Sequence, residues 1–164
     1  MILKNGCPDN VVSMPMNKTT LHQIETFLNC KTIAIAGASR NAQSFSAQVA
    51  THLKKLGYNL FLINPNFEQT EEKITSINAL SQDVNNLLII TPKSQTETVL
   101  KQAIDKGIKN IWIQQTSDTP EAIKLGLESN INLVYGQCIF MFTKPSGIHK
   151  FHYQLKRVFG SLPR

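Results

Sequence analysis

The chain has 164 residues, enough for one domain with a real core and too few for two generous ones. Apolar residues make up 41% and charged residues 17%, the balance of a soluble globular fold, and no apolar run approaches the ~20 residues of a bilayer span. The net charge of +6 suits an anionic ligand, but the lysines are scattered and only residues 149–164 are locally basic, which speaks against a nucleic-acid surface. Residues 1–20 carry Gly, Pro, Asn and Ser without periodicity and read as a loose arm, with no charged region leading into an apolar core as a signal peptide requires. Cys7, Cys30 and Cys138 are an odd number at unpatterned spacing, which points to free thiols in a reducing cytoplasm.

Leu21, Ile24, Phe27 and Leu28 recur at helical spacing behind Thr20, a suitable N-cap. From Thr32 onward short apolar runs alternate with helical periods. The runs TIAIAG, NLFLIN, NLLIIT, NIWIQ and INLVYG predict five strands, hydrophobic on both faces as in a covered parallel sheet. Between them, Val49, Ala50, Leu53 and Leu56 mark a helix closed by Gly57. Val99, Leu100, Ala103 and Ile104 mark a second, closed by Gly107. Thr119 and Pro120 open a third that runs to about Ser129. A last helix over residues 148–159 sets Ile148, Phe151, Leu155, Val158 and Phe159 on one stripe, suited to covering the sheet or a partner subunit. The connection over residues 65–85 has room for a small extra turn. The fold class is α/β: a doubly wound, Rossmann-like domain with a mainly parallel five-stranded sheet and helices on both faces, spanning residues 21–164.

Ligands of such sheets bind outside the carboxyl ends of the strands, so the residues that follow each strand carry the information. After the first come Gly37, Ala38, Ser39, Arg40 and Asn41. Small residues allow close backbone approach, the amides beyond Gly37 would be free to hold a diphosphate, and Arg40 can neutralise it. The motif lacks GxGxxG, and a plain strand–helix turn would use the same small residues. The second strand ends in Asn64 and Pro65 where NAD-binding proteins usually place a carboxylate on the ribose. That absence suits a phosphorylated ribose, as in coenzyme A or NADP, with Pro65 as an apolar wall for adenine. After the third strand Thr91 and Pro92 form the loop and Lys93 can reach a phosphate. Ser94 and Glu97 have capping-box spacing. Gln114 follows the fourth strand with Gln115 and Thr116, neutral groups suited to an amide-bearing ligand arm.

With these loops aligned, the chain resembles the CoA-binding domain family, Rossmann-like proteins akin to the N-terminal domain of the succinyl-CoA synthetase α subunit. The likeness covers about residues 31–159 and rests on IAGASRN, LINPN, IITPKSQTETVLKQAIDKGIKNIWIQ and the closing GQCIFMFTKPSGIHKFHYQLKRVFG. It implies a diphosphate seat at residues 37–40, adenine contacts near Asn64 and Pro65, and further CoA contacts at Thr91 and Pro92. The synthetase's phosphohistidine lies in a second domain with no counterpart here, so the resemblance implies binding of coenzyme A or an acyl-CoA and not ligase chemistry. An NADP-dependent oxidoreductase is the alternative, although no Tyr-x-x-x-Lys signature appears. A ligand-free interaction module is the other, and a second copy of the chain or a partner protein is the expected macromolecular contact.

Cys138 follows the fifth strand with His149 and His152 near it in sequence. A Cys–His nucleophile, a mixed disulfide with CoA, or a zinc site would each use these residues, while a buried inert thiol is the plainer expectation. No metal site is expected.

Overall fold

The computed structural model describes residues 18–143. The expected N-terminal arm, apart from its last residues, and the expected last helix with His149 and His152 lie outside them. Among the described residues four helices and six strands follow in the order α1 (Leu21–Asn29), β1 (Thr32–Ala36), α2 (Phe45–Lys55), β2 (Asn59–Ile63), β3 (Lys73–Ile74), β4 (Asn86–Ile89), α3 (Lys93–Asp105), β5 (Asn110–Gln114), α4 (Pro120–Glu128) and β6 (Asn132–Gln137). Single 3-10 turns occupy Ile77–Ala79 and Ile139–Met141. The sheet is parallel throughout, in the order β3-β2-β1-β4-β5-β6. Its order reverses between β1 and β4, which makes that gap the topological switch point. The five predicted strands are all present. The sixth, β3, has two residues and too little sequence to show a period.

Side chains alternate across the sheet and divide the core in two. Ile33 and Ile35 of β1, Leu88 of β4, Trp112 of β5 and Val134 of β6 face α1 and α2, where they meet Ile24, Phe27, Val49 and Leu53. Ala34, Ala36, Leu87, Ile89, Ile111, Ile113 and Leu133 face the other way, against Leu100 and Ala103 of α3 and Ala122 of α4. Burial of each large apolar side chain contributes roughly 1.5–3 kcal/mol, and the two-faced sheet lets nearly every strand residue contribute. Trp112 is fully buried and meets Phe27 edge-on, ring centroids 5.4 Å apart.

The helix termini follow local sequence. Thr20 and Gln23 form a capping box on α1: the Gln23 N–H donates to Thr20 Oγ1 at 3.3 Å, and the Thr20 N–H to Gln23 Oε1 at 2.7 Å. Thr119 caps α4 through the Ala122 N–H at 3.1 Å. The expected Ser94–Glu97 box does not form. Helix α3 starts at Lys93 with Pro92 at its N-cap position and no side-chain cap, while Glu97 pairs with Lys101 at 3.0 Å. At the far edge of the sheet, Thr19 lies beside β6. Its hydroxyl donates to the Tyr135 carbonyl at 2.9 Å and accepts from the Tyr135 N–H at 3.0 Å.

Candidate functional site

A cavity of about 570 Å³ opens at the carboxyl ends of the strands, at the switch point. One wall is Gly37, Ala38 and Ser39, which follow β1; another is Asn64, Pro65 and Asn66 after β2. Thr91 and Pro92 close the side below β4, and Thr75, Ser76 and Ile77 stand beyond β3. Helix α3 presents Gln95, Val99 and Gln102. None of the described lining residues is ionisable, and Glu68, the nearest carboxylate after β2, stays exposed outside the cavity.

Gly37 is required by the fold. Its φ is +87°, and a Cβ there would lie 2.7 Å from the Ile90 carbonyl oxygen and 2.8 Å from Thr91 N. The glycine thus admits the chain's own β4 backbone, whereas the sequence suggested close approach of a ligand.

The loop amides are largely committed, contrary to the expectation that they are free. The Gly37 and Ala38 N–H groups both donate to the Ile63 carbonyl at 3.2 Å. The Ser39 N–H donates to Ser46 Oγ at 3.0 Å, and the Asn41 N–H to Ser39 Oγ at 3.1 Å. The physical reason is burial: Ala38 and Ser46 are shielded from water, so their donors and acceptors must pair within the chain. The N–H groups of Arg40, Phe45 and Ser46 have no partner among the described residues, and two of them open helix α2. Two of the committed amides are held by hydroxyls, which a rotation about one bond releases.

Asn64 also has an internal task. Its Nδ2 donates to the Ala38 carbonyl at 2.7 Å and its Oδ1 accepts from the Asn66 N–H at 2.8 Å, locking the β1 and β2 loops together. Thr91 is buried. Its hydroxyl lies 3.2 Å from that of Thr96, which donates to the Ser117 carbonyl at 2.8 Å and ties the loops after β4 and β5.

Of the candidate residues, Gly37, Ala38, Ser39, Asn64, Pro65, Thr91 and Pro92 therefore come together, and five do not line the cavity. Arg40 and Asn41 are exposed on the loop beside it. Lys93 is exposed near Asp118, whose carboxyl is raised above its ordinary value by burial and drawn back by the Gly136 N–H and by the Lys93 charge. Gln114, expected to face the crevice, is buried: its Oε1 accepts from the Ile139 N–H at 3.2 Å, and its Nε2 has no partner among the described residues. Cys138 is a buried free thiol at the start of the turn Ile139–Met141. Among the described residues no cluster of His, Cys, Asp and Glu is suited to a metal ion, and no helix is long and apolar enough to cross a membrane.

The sequence reading missed the stripe of Gln95, Val99 and Gln102 and the segment after β3. The spacing i, i+4, i+7 of the stripe was visible, but its two glutamines fall outside any apolar pattern.

Strand order, switch-point crevice and tight β1 loop define a Rossmann-like α/β domain. The chain belongs to the CoA binding domain family, whose profile matches residues 31–144. No curated protein matches it. Among solved structures, a conserved hypothetical protein from Pyrococcus furiosus is 25% identical with a TM-score of 0.65, covering 69% of this chain and 99% of its own. A hypothetical protein from Pyrococcus horikoshii is also 25% identical, with a TM-score of 0.65 over 72% of this chain and 84% of its own. A Thermus thermophilus protein is 23% identical, with a TM-score of 0.66 over 80% and 97%.

Proposed function

We propose that the protein binds coenzyme A or an acyl-CoA in the switch-point crevice and carries out no acid–base chemistry there. The observation that carries this reading is the charge-free lining among the described residues: none of them repels a phosphorylated ribose, and none titrates near neutral pH. The adenosine end occupies the cavity beside Pro65. The diphosphate lies over residues 39–41, where the N–H groups of Arg40, Phe45 and Ser46 can donate and the exposed Arg40 guanidinium supplies charge. Thr91 and Pro92 bound the ligand on the β4 side. Lys93 adds positive potential at the rim, shared with Asp118. Gln114 and Cys138 support the turn after β6 and do not contact the ligand in this reading. An NADP-dependent reductase would need a proton donor beside the nicotinamide, and the described lining residues include no acid or base. The reading also implies a cytoplasmic protein, where coenzyme A and the free thiols Cys30 and Cys138 coexist.

Thermal unfolding with CoA, acetyl-CoA, NADP and NAD tests the proposal. A ligand at about 100 times its Kd stabilises by ~2.7 kcal/mol, a rise of several degrees in Tm. CoA and acetyl-CoA are expected to give that rise, with the shift reduced in Arg40→Ala. Stabilisation by NAD without any by CoA would reject the reading.

A further inference from the structure

Helix α3 divides its polar residues by face. Lys93, Glu97, Lys101 and Asp105 follow one another at four-residue steps, and Glu97 and Lys101 form an ion pair. The positions that line the cavity, 95, 99 and 102, carry no charge. Gln95 and Gln102 stand two turns apart, about 10 Å along the axis, with Val99 between them. Both glutamines are exposed to solvent at the cavity they line with Pro65 and Ile77, and neither carboxamide bonds another described residue. Gln95 and Gln102 are the two amide side chains of α3, and both stand on the face that lines the cavity.

Resting on the coenzyme A reading, we infer that this stripe reads the base of the ligand, with Val99 against the ring and a Gln95 or Gln102 carboxamide on its edge. A carboxamide offers an acceptor and a donor side by side in one plane. Adenine matches it with the 6-amino donor beside a ring-nitrogen acceptor. Both edges that a carboxamide can grip in this way include the 6-amino group, so recognition concentrates there whichever edge faces α3. The two glutamines are specificity-determining residues, and the rest of the cavity supplies shape.

The test uses the 3′,5′-bisphosphates of adenosine and of purine riboside, which lacks the 6-amino group, titrated calorimetrically into the full chain. Coenzyme A itself is titrated first. The purine form should bind roughly tenfold more weakly to the unaltered protein. In Gln95→Leu or Gln102→Leu the two bisphosphates should bind within about threefold of one another, while the variant melts normally. Equal binding of both probes to the unaltered protein, or a preference kept in both variants, overturns the inference and leaves the coenzyme A reading standing if coenzyme A binds. Absence of coenzyme A binding removes both.

Discussion

Replacing Gly37 with alanine puts two separable strains on the fold. The first is conformational: φ is +87°, where an L side chain costs about 1–3 kcal/mol. The second is steric. The new Cβ would sit 2.7 Å from the Ile90 oxygen and 2.8 Å from Ile90 C and Thr91 N, all backbone atoms of the adjoining strand end. Such overpacking costs about 1–3 kcal/mol more. Together they remove roughly 2–6 kcal/mol from a domain whose whole stability is on the order of 5–15 kcal/mol. Gly57 supplies the control. Its φ is +81°, and nothing lies within 4 Å of its Cβ position, so Gly57→Ala carries the first strain alone. Urea unfolding of both variants, followed by the fluorescence of the single tryptophan, separates the terms. Gly37→Ala should lose at least about 1 kcal/mol more than Gly57→Ala. Equal losses would refute the claim that the β1 turn is pressed against the β4 backbone.

Ser46→Ala removes the acceptor of the Ser39 N–H and should lower stability by about 1 kcal/mol. If a ligand phosphate takes over that amide, affinity for CoA should hold or improve in the same variant; a tenfold weakening measured calorimetrically would show that the hydroxyl itself contacts the ligand. Asp118 has a folded-state pKa above its ordinary value because of burial, so the native state holds the proton more tightly than the unfolded chain. Its contribution to stability is therefore greatest below the unfolded pKa of 3.8 and is lost as pH rises through the raised value. Asp118→Asn keeps an acceptor for the Gly136 N–H and removes the charge, so denaturation midpoints of variant minus parent should increase from pH 3 to pH 6. A constant difference across that range would contradict the assignment.

The strands, the helix order and the position of the crevice were legible because burial on both faces makes each β-strand a continuous apolar run. Thr20 and Thr119 announced their helices through side-chain chemistry that acts within four residues. What the sequence could not disclose depended on distant partners. The amides after Gly37 look free in one dimension, and only the approach of β2 and of Ser46 shows where they are spent. Gln114 looked like a crevice amide because it ends a strand, yet the turn after β6 folds back and takes its oxygen. Ser94 and Glu97 had the right spacing for a box, but the N-cap position falls on Pro92 and the helix begins two residues early. Strand β3 exists only because Leu62 and Ile63 offer it a ladder.

The two flanks of the sheet end differently, and both endings discourage fibre growth. An open parallel edge is a template on which another chain can add a strand. On one flank the template is two residues long. On the other, a single threonine hydroxyl occupies both the donor and the acceptor of Tyr135, and the pairing of β6 slips at Gln137. A second molecule arriving edge-on at Tyr135 finds both groups already matched, so Thr19 shields that position of the edge as well as fixing the chain beside it.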